Sequence, residues 1–367
     1  MPKKILIVSR SFYPMNSPRS FRTTELAREL ARQGHEVTVV IPKTDFDYCT
    51  FEKDFKLKVL DDIVLKKADK SPFSTKRGLF TRIKDRFLHQ AFLYPEVEIT
   101  TKIQKFLKSQ MQQYDLLISI AKPYTVHLGC ALALKKNRNL AKYWVADCGD
   151  PFNPSSNPYF FPFYIKWFVN WMFKQADFIT IPVNSAKSAY PKEAQKKIVI
   201  IPQGFNFSNI ELTPQPIKNK VPTFAYAGAL YNKIRSPEKL LTFLAGQKID
   251  FKFVFYTNNT EFVEPFFSVL NQKIEIRKPL PRAELLTELS KMDFLVNIEN
   301  TTKEMAPSKF IDYALTKRPI LNLHPENFDP GLVLEFLKGN YRNRLFIRDL
   351  EKYNIKNVAA QFLNLSD

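Results

Sequence analysis

The chain has 367 residues, of which 45% are hydrophobic and 14% aromatic. That is too apolar for a disordered polymer and too long for one ordinary core, so two domains are expected. Its 55 Lys and Arg against 36 Asp and Glu leave a formal charge of +19, which points to nucleic acid, an anionic membrane surface or polyanionic substrates without choosing among them. Cys49, Cys130 and Cys148 are too few and too scattered for a disulfide framework or a zinc site, so a reducing cytoplasm is expected. Ile5 to Val8 is too short for a signal-peptide core, and the apolar stretch Phe160 to Phe173 is broken by Pro162, Lys166 and Asn170, so no segment is expected to cross a bilayer.

In chain order, Lys4 to Ser9 reads as a buried parallel strand. Ser17-Pro18 supplies an N-cap and first helical residue, and a helix runs to about Gln33 with Gly34 as its C-cap. The strand Val37 to Ile41 completes a βαβ unit with a right-handed crossover. Ser17, Arg19 and Arg22 gather at the start of that helix, where the two arginines either clamp an anionic acceptor or remain solvated surface cations. From 66 to 88, Lys and Arg alternate with Phe, Leu and Ile. This pattern fits an amphipathic face lying on an anionic membrane, or a helix packed on its own sheet with a solvated basic side.

A strand follows at Tyr114–Ile120, and Tyr143–Pro151 reads as a strand and its loop. His127 sits at a strand-to-helix junction, where α/β proteins bind ligands, though a lone histidine is more often structural. Asp150 opens the same edge, either aligning a nucleophile or capping a helix. A polar, proline-rich linker at 207–221 separates a first domain, 1–206, from a second, 222–367. The second alternates strand and helix as a doubly wound sheet: strands at 223–228, 251–256, 273–277 and 293–298, helices near 237–246, 261–270 and 281–290. A helix near 356–363 ends the chain.

The densest signal is Glu304-Met-Ala-Pro-Ser308-Lys309-Phe-Ile-Asp312-Tyr-Ala, followed by Lys317-Arg318-Pro319-Ile320-Leu321. It reads as a loop, a helix whose free N–H groups favour an anion, and a buried strand. Glu304 and Asp312 flank the helix start with seven residues between them, suited to holding neutral hydroxyls. This stretch resembles the Glu-seven-residues-Glu signature of family-four retaining glycosyltransferases of the GT-B fold, in the type that builds surface polysaccharides. Ala27 to Val37, Asp147 to Pro151, 176–182 and 197–206 are similar to the same family's first domain.

The resemblance implies an α/β fold of two Rossmann-like doubly wound parallel sheets facing across a cleft, the first for acceptor and the second for donor. It implies a catalytic role for Glu304, to which His127 and Asp150 are added from their place at the strand edge, and donor binding by Gly228, Lys233, Arg235, Ser308, Lys309 and Asp312. Acceptor contacts fall to Ser17, Arg19 and Arg22. Two departures stand out. No Gly-Gly pair precedes the first helix, in a chain with only 9 glycines, and Ala229 replaces the usual Arg after Gly228, leaving Lys233 and Arg235 as substitutes.

The implied activity is metal-independent, retaining hexosyl transfer from a nucleotide diphosphate sugar, with no other cofactor and no metal site. The acceptor is a cell-surface polysaccharide or lipid-linked glycan, and the place is cytoplasmic or peripheral on the inner face of the plasma membrane through 66–88. Because such acceptors are often lipid-linked, the resemblance favours the membrane reading of that segment. Three alternatives stay open: a nucleotide-sugar epimerase of the same fold, a transferase that has lost activity, and a non-catalytic basic protein binding nucleic acid or anionic glycan. Interspersed acids in the second half and the absence of a nucleic-acid motif argue for no nucleic-acid partner.

Overall fold

A computed structural model describes residues 1–65, 96–149, 163–208, 212, 219–231, 235–299 and 309–366. It divides into two compact units, Met1–Asn206 with Lys352–Asp367, and Phe207–Glu351. The basic stretch 66–88 lies outside the described residues, as do Asp150, Lys233, Glu304 and Ser308.

In chain order the first unit holds β1 (Lys4–Ser9), α1 (Pro18–Arg32), β2 (Glu36–Pro42), α2 (Cys49–Phe55), β3 (Lys58–Ile63) and α3 (Val97–Ser109). After these come β4 (Tyr114–Ala121), α4 (Thr125–Lys136), β5 (Ala141–Cys148), α5 (Phe163–Gln175), β6 (Phe178–Ile181), α6 (Lys192–Gln195) and β7 (Ile198–Ile200). The seven strands form one parallel sheet in the order β3-β2-β1-β4-β5-β6-β7. Parallel strands are covered on both faces, so Ile5, Leu6, Ile7 and Val8 are all fully buried, their alternate side chains entering two different core clusters. The Ser17 hydroxyl caps α1 by accepting from Ser20 N, and Gly34, at φ +89°, ends it with its N–H on Ala31 O.

The second unit contains β8 (Thr223–Ala227), α7 (Glu238–Ala245), β9 (Lys252–Tyr256), α8 (Phe267–Leu270), β10 (Ile274–Arg277) and α9 (Arg282–Ser290). It continues with β11 (Phe294–Ile298), α10 (Lys309–Leu315), β12 (Ile320–Leu323) and α11 (Pro330–Leu337). Its parallel sheet runs β10-β9-β8-β11-β12, so the order reverses between β8 and β11. Ligands of such sheets bind beyond the strand ends at that switch. The helix expected near 261–270 is instead two 3₁₀ turns, Thr260–Phe262 and Glu264–Phe266, and the short α8. Pro265, which has no N–H to donate, sits in the second turn. Helix α11 was not foreseen; Asp329 caps it through Leu332 N.

The chain end corrects the expected second domain of 222–367. Helix α12 (Ile355–Leu363) packs Ile355, Val358, Ala359 and Phe362 into the core of the first unit. Phe205 N donates to Tyr353 O at 2.8 Å and Ile355 N to Phe205 O at 2.9 Å. Lys3 Nζ reaches Leu363 O and Ser366 Oγ, and a Cβ at Gly204 would strike Ile355 Cδ1. Four apolar residues on one face of a nine-residue helix hold the terminus in that core.

Candidate donor site

At the strand edge of the first unit, most of the expected ligand-binding residues are sealed into the fold. Arg22 is 3% exposed and forms a two-pronged pair with Asp147 on β5, Nε to Oδ2 at 2.5 Å and Nη2 to Oδ1 at 2.6 Å. It also donates to Pro202 O at 2.8 Å, its guanidinium lies over the Phe362 ring, and Thr180 Oγ1 donates to Asp147 Oδ1 at 2.6 Å. Burial works against the Asp147 carboxylate, but the Arg22 charge and these hydrogen bonds outweigh it and hold its pKa below the usual value. Arg22 therefore joins α1, β5, the 201–202 turn and α12 and has no face for an acceptor, which corrects the expectation for it.

His127 is corrected in the same sense. It is fully buried in α4, with Nδ1 2.7 Å from Ser119 Oγ and Nε2 3.5 Å from Cys148 Sγ, and Trp144 Nε1 donates to the same Ser119 hydroxyl at 2.8 Å. Burial pushes its pKa down to about 4, against a weaker opposing pull from Asp147. It is a neutral core imidazole. Ser17 spends its hydroxyl oxygen on the helix cap at 3.2 Å from Ser20 N. Of the acceptor residues expected, Arg19 alone reaches the strand edge: a Cβ at Gly149, just past β5, would collide with its half-buried guanidinium.

In the second unit Gly228, Arg235 and Lys309 come together at one strand end, while Lys233 and Ser308 lie outside the described residues. Gly228 follows β8 at φ +126°, a conformation side chains rarely adopt, and a Cβ there would strike Lys309 Cε and Nζ. Lys309 at the start of α10 donates from Nζ to Tyr226 OH at 2.7 Å, with the ammonium 4.1 Å from that ring's centre. Tyr226 in turn donates to Ala229 O at 2.8 Å, the carbonyl that also accepts from Arg235 Nη1 at 3.3 Å. Paired backbone hydrogen bonds between Tyr231 and Arg235 bring this arginine back to the strand end. Tyr313 secures the end of β8, its hydroxyl accepting from the buried Ala227 N at 2.7 Å.

Lys309 thus stands against Gly228, and Arg235 reaches the carbonyl of the next residue. Burial, and secondly the Arg235 charge, pull the Lys309 pKa well below that of an ordinary lysine. Among the described residues Lys309 has no carboxylate partner. Such a lysine is stabilised by an arriving anion that meets its charge and leaves the hydroxyl bond in place.

Asp312 lies one helical turn along α10 and is gripped by Arg282, Nε to Oδ1 at 2.8 Å. Burial raises its pKa, opposed by the arginine. Among the described residues its Oδ2 has no partner, so one acceptor oxygen is left for a hydroxyl. Sequence reasoning missed Arg282, which lies 30 residues from Asp312 in the chain. It also missed Tyr226, whose hydroxyl seats Lys309. A cavity of about 310 Å³ is lined by Ser236, Lys239, Ile298, Leu323, His324 and Phe328, and Gly228, Lys309 and Asp312 are not in its lining. Among the described residues, no group of three or more His, Cys, Asp or Glu is placed to hold a metal.

The model of Glycosyltransferase Family 4 matches residues 21–209, more than half of the chain. The chain belongs to that family. Solved structures agree in fold across nearly the whole transferase. A glycosyltransferase from Rickettsia africae superposes with a TM-score of 0.60 at 14% identity, over 99% of this chain and 94% of that one. HepE of Anabaena, in complex with UDP and glucose, gives 0.58 at 13% over 99% and 97%. The lipopolysaccharide outer core galactosyltransferase WaaB, in its apo form, gives 0.58 at 13% over 99% and 98%. No curated protein matches by sequence. The transferase therefore has the GT-B type of architecture, two Rossmann-like α/β units with parallel sheets.

Proposed function

We propose that this glycosyltransferase moves a hexose from a nucleotide diphosphate sugar to a growing cell-surface polysaccharide or its lipid-linked precursor, with retention at the anomeric carbon and without a metal ion. The observation that carries the reading is Lys309, held against Gly228 by Tyr226, beside Arg235 and without a carboxylate partner among the described residues. A diphosphate fits that position. As the bond from the anomeric carbon to the diphosphate oxygen breaks, negative charge grows on the leaving group, and the two fixed cations stabilise it without reorganising. The leaving oxygen takes the proton of the incoming hydroxyl while that hydroxyl's oxygen bonds to the same face of the sugar. Asp312 accepts from a ribose hydroxyl through Oδ2, with Arg282 fixing the carboxylate.

Support for the donor class comes from HepE, solved with UDP and glucose, and for the acceptor class from WaaB, an outer core galactosyltransferase. Among the described residues no helix is long and apolar enough to cross a membrane. We place the protein in the cytoplasm, meeting lipid-linked acceptors at the inner membrane face through the basic stretch 66–88. A thermal-shift series with nucleoside diphosphates tests the donor site: at least one should raise the melting temperature in wild type and fail to do so in Lys309→Ala. A series with no response overturns the reading. Epimerised sugar formed without acceptor would replace transfer by epimerisation.

A further inference from the structure

Strand β11 carries one polar residue in an otherwise apolar run, Asn297, which is 1% exposed. Its register partner on β12 is Asn322. Asn297 Nδ2 donates to Asn322 Oδ1 at 2.6 Å, and Asn322 Nδ2 donates to Glu299 Oε1 at 2.6 Å. Glu299 N donates to Leu323 O at 2.9 Å, fixing the backbone just past the end of β11. An amide buried between strands costs free energy unless its bonds are met, and an aliphatic pair would pack there without that cost. The amides form a chain that runs outward along the sheet and ends on a carboxylate. Among the described residues Glu299 Oε2 has no partner.

The position of that carboxylate follows from register. Phe294 pairs with Phe224 and Leu295 with Ala225. Extending the pairing sets Ile298 beside Gly228 and Glu299 one residue beyond, with neighbouring strands about 4.8 Å apart. Alternation places Glu299 on the face of Leu295 and Asn297, the face that α10 covers through Tyr313 and from which Lys309 and Asp312 arise. A carboxylate there repels phosphate but accepts from neutral hydroxyls. The cations take the diphosphate and Asp312 the ribose, so the remaining hydroxyl-bearing part of the donor is its sugar. We infer that Glu299 binds a hydroxyl of the transferred sugar, positioned by Asn322 and, behind it, Asn297. This rests on the donor reading above and adds to it the residue that selects the sugar.

The test is titration calorimetry of the full chain with matched pairs: UDP and UDP-glucose, GDP and GDP-mannose. Glu299→Gln should weaken the sugar nucleotide about tenfold, the loss of one charge-assisted hydrogen bond, and leave the bare diphosphate unchanged. Asn322→Leu, which keeps the strand apolar but frees the carboxylate, should move the sugar nucleotide in the same direction by a smaller factor, again sparing the diphosphate. A loss in purely structural support would weaken both ligands together. Diphosphate binding with Glu299→Gln indistinguishable from wild type on the sugar nucleotide, or equal weakening of both ligands, overturns the inference alone. If no diphosphate binds wild type, the donor reading falls and the inference with it.

Discussion

Each unit ends its sheet with cations, and the two endings differ in what neutralises them. In the first, Arg22 meets Asp147 in a buried two-pronged pair, and Thr180, Pro202 and the Phe362 ring complete its surroundings. In the second, among the described residues Lys309 meets a tyrosine hydroxyl and no carboxylate, and its neighbour Arg235 donates to a carbonyl. The same physics makes one ending a structural joint and the other a receptor. A buried cation with its carboxylate in place needs nothing further. A half-buried cation held by neutral oxygens still lowers its energy when an anion arrives.

The largest expected effect breaks the first ending. Arg22→Ala leaves Asp147 buried without its partner and should cost about 3–5 kcal/mol in chemical denaturation. Because the Asp147 pKa is lower folded than unfolded, its contribution is present above the unfolded value and is lost as pH falls through the folded one; Asp147→Asn should flatten that acid limb. Next, Lys309→Ala should change stability by less than about 1 kcal/mol yet weaken nucleoside diphosphate binding by about 1.5–3 kcal/mol, measured by calorimetry. If stability falls as far as in Arg22→Ala, the contrast between the two endings fails. A subtler sign of the same difference is pH. Lys309 starts with a depressed pKa that a bound anion raises, so binding takes up a proton where the free lysine is deprotonated, and affinity should fall as pH rises through the free protein's lowered Lys309 pKa in wild type and less in Lys309→Ala. Smallest is Ser17→Ala: loss of the α1 cap should cost about 1 kcal/mol in stability with no change in nucleotide affinity.

Much of the architecture was legible before any coordinates. Apolar runs of strand length, Ser17-Pro18 at a helix start and Gly34 at its end predicted elements that the structure places within about a residue or two, because capping and periodicity are local. Gly228, Arg235, Lys309 and Asp312 were also singled out together, and the structure gathers the first three around one strand end. The polar break at Asn297 in an apolar strand was a signal available in the sequence and left unread.

What the sequence by itself determined was the alternation of strands and helices, and with it two doubly wound sheets and the strand ends where a ligand belongs. Only tertiary structure decided what each cation meets. Arg19 and Arg22 look alike on a helix start, yet one guanidinium meets a carboxylate from β5, 125 residues away, and the other lies over Gly149. His127 shows the same division, since its partners Ser119 and Cys148 come from two neighbouring strands. Local pattern fixes where a side chain begins. Whether it faces a ligand or a buried counter-charge depends on chain segments far away in sequence.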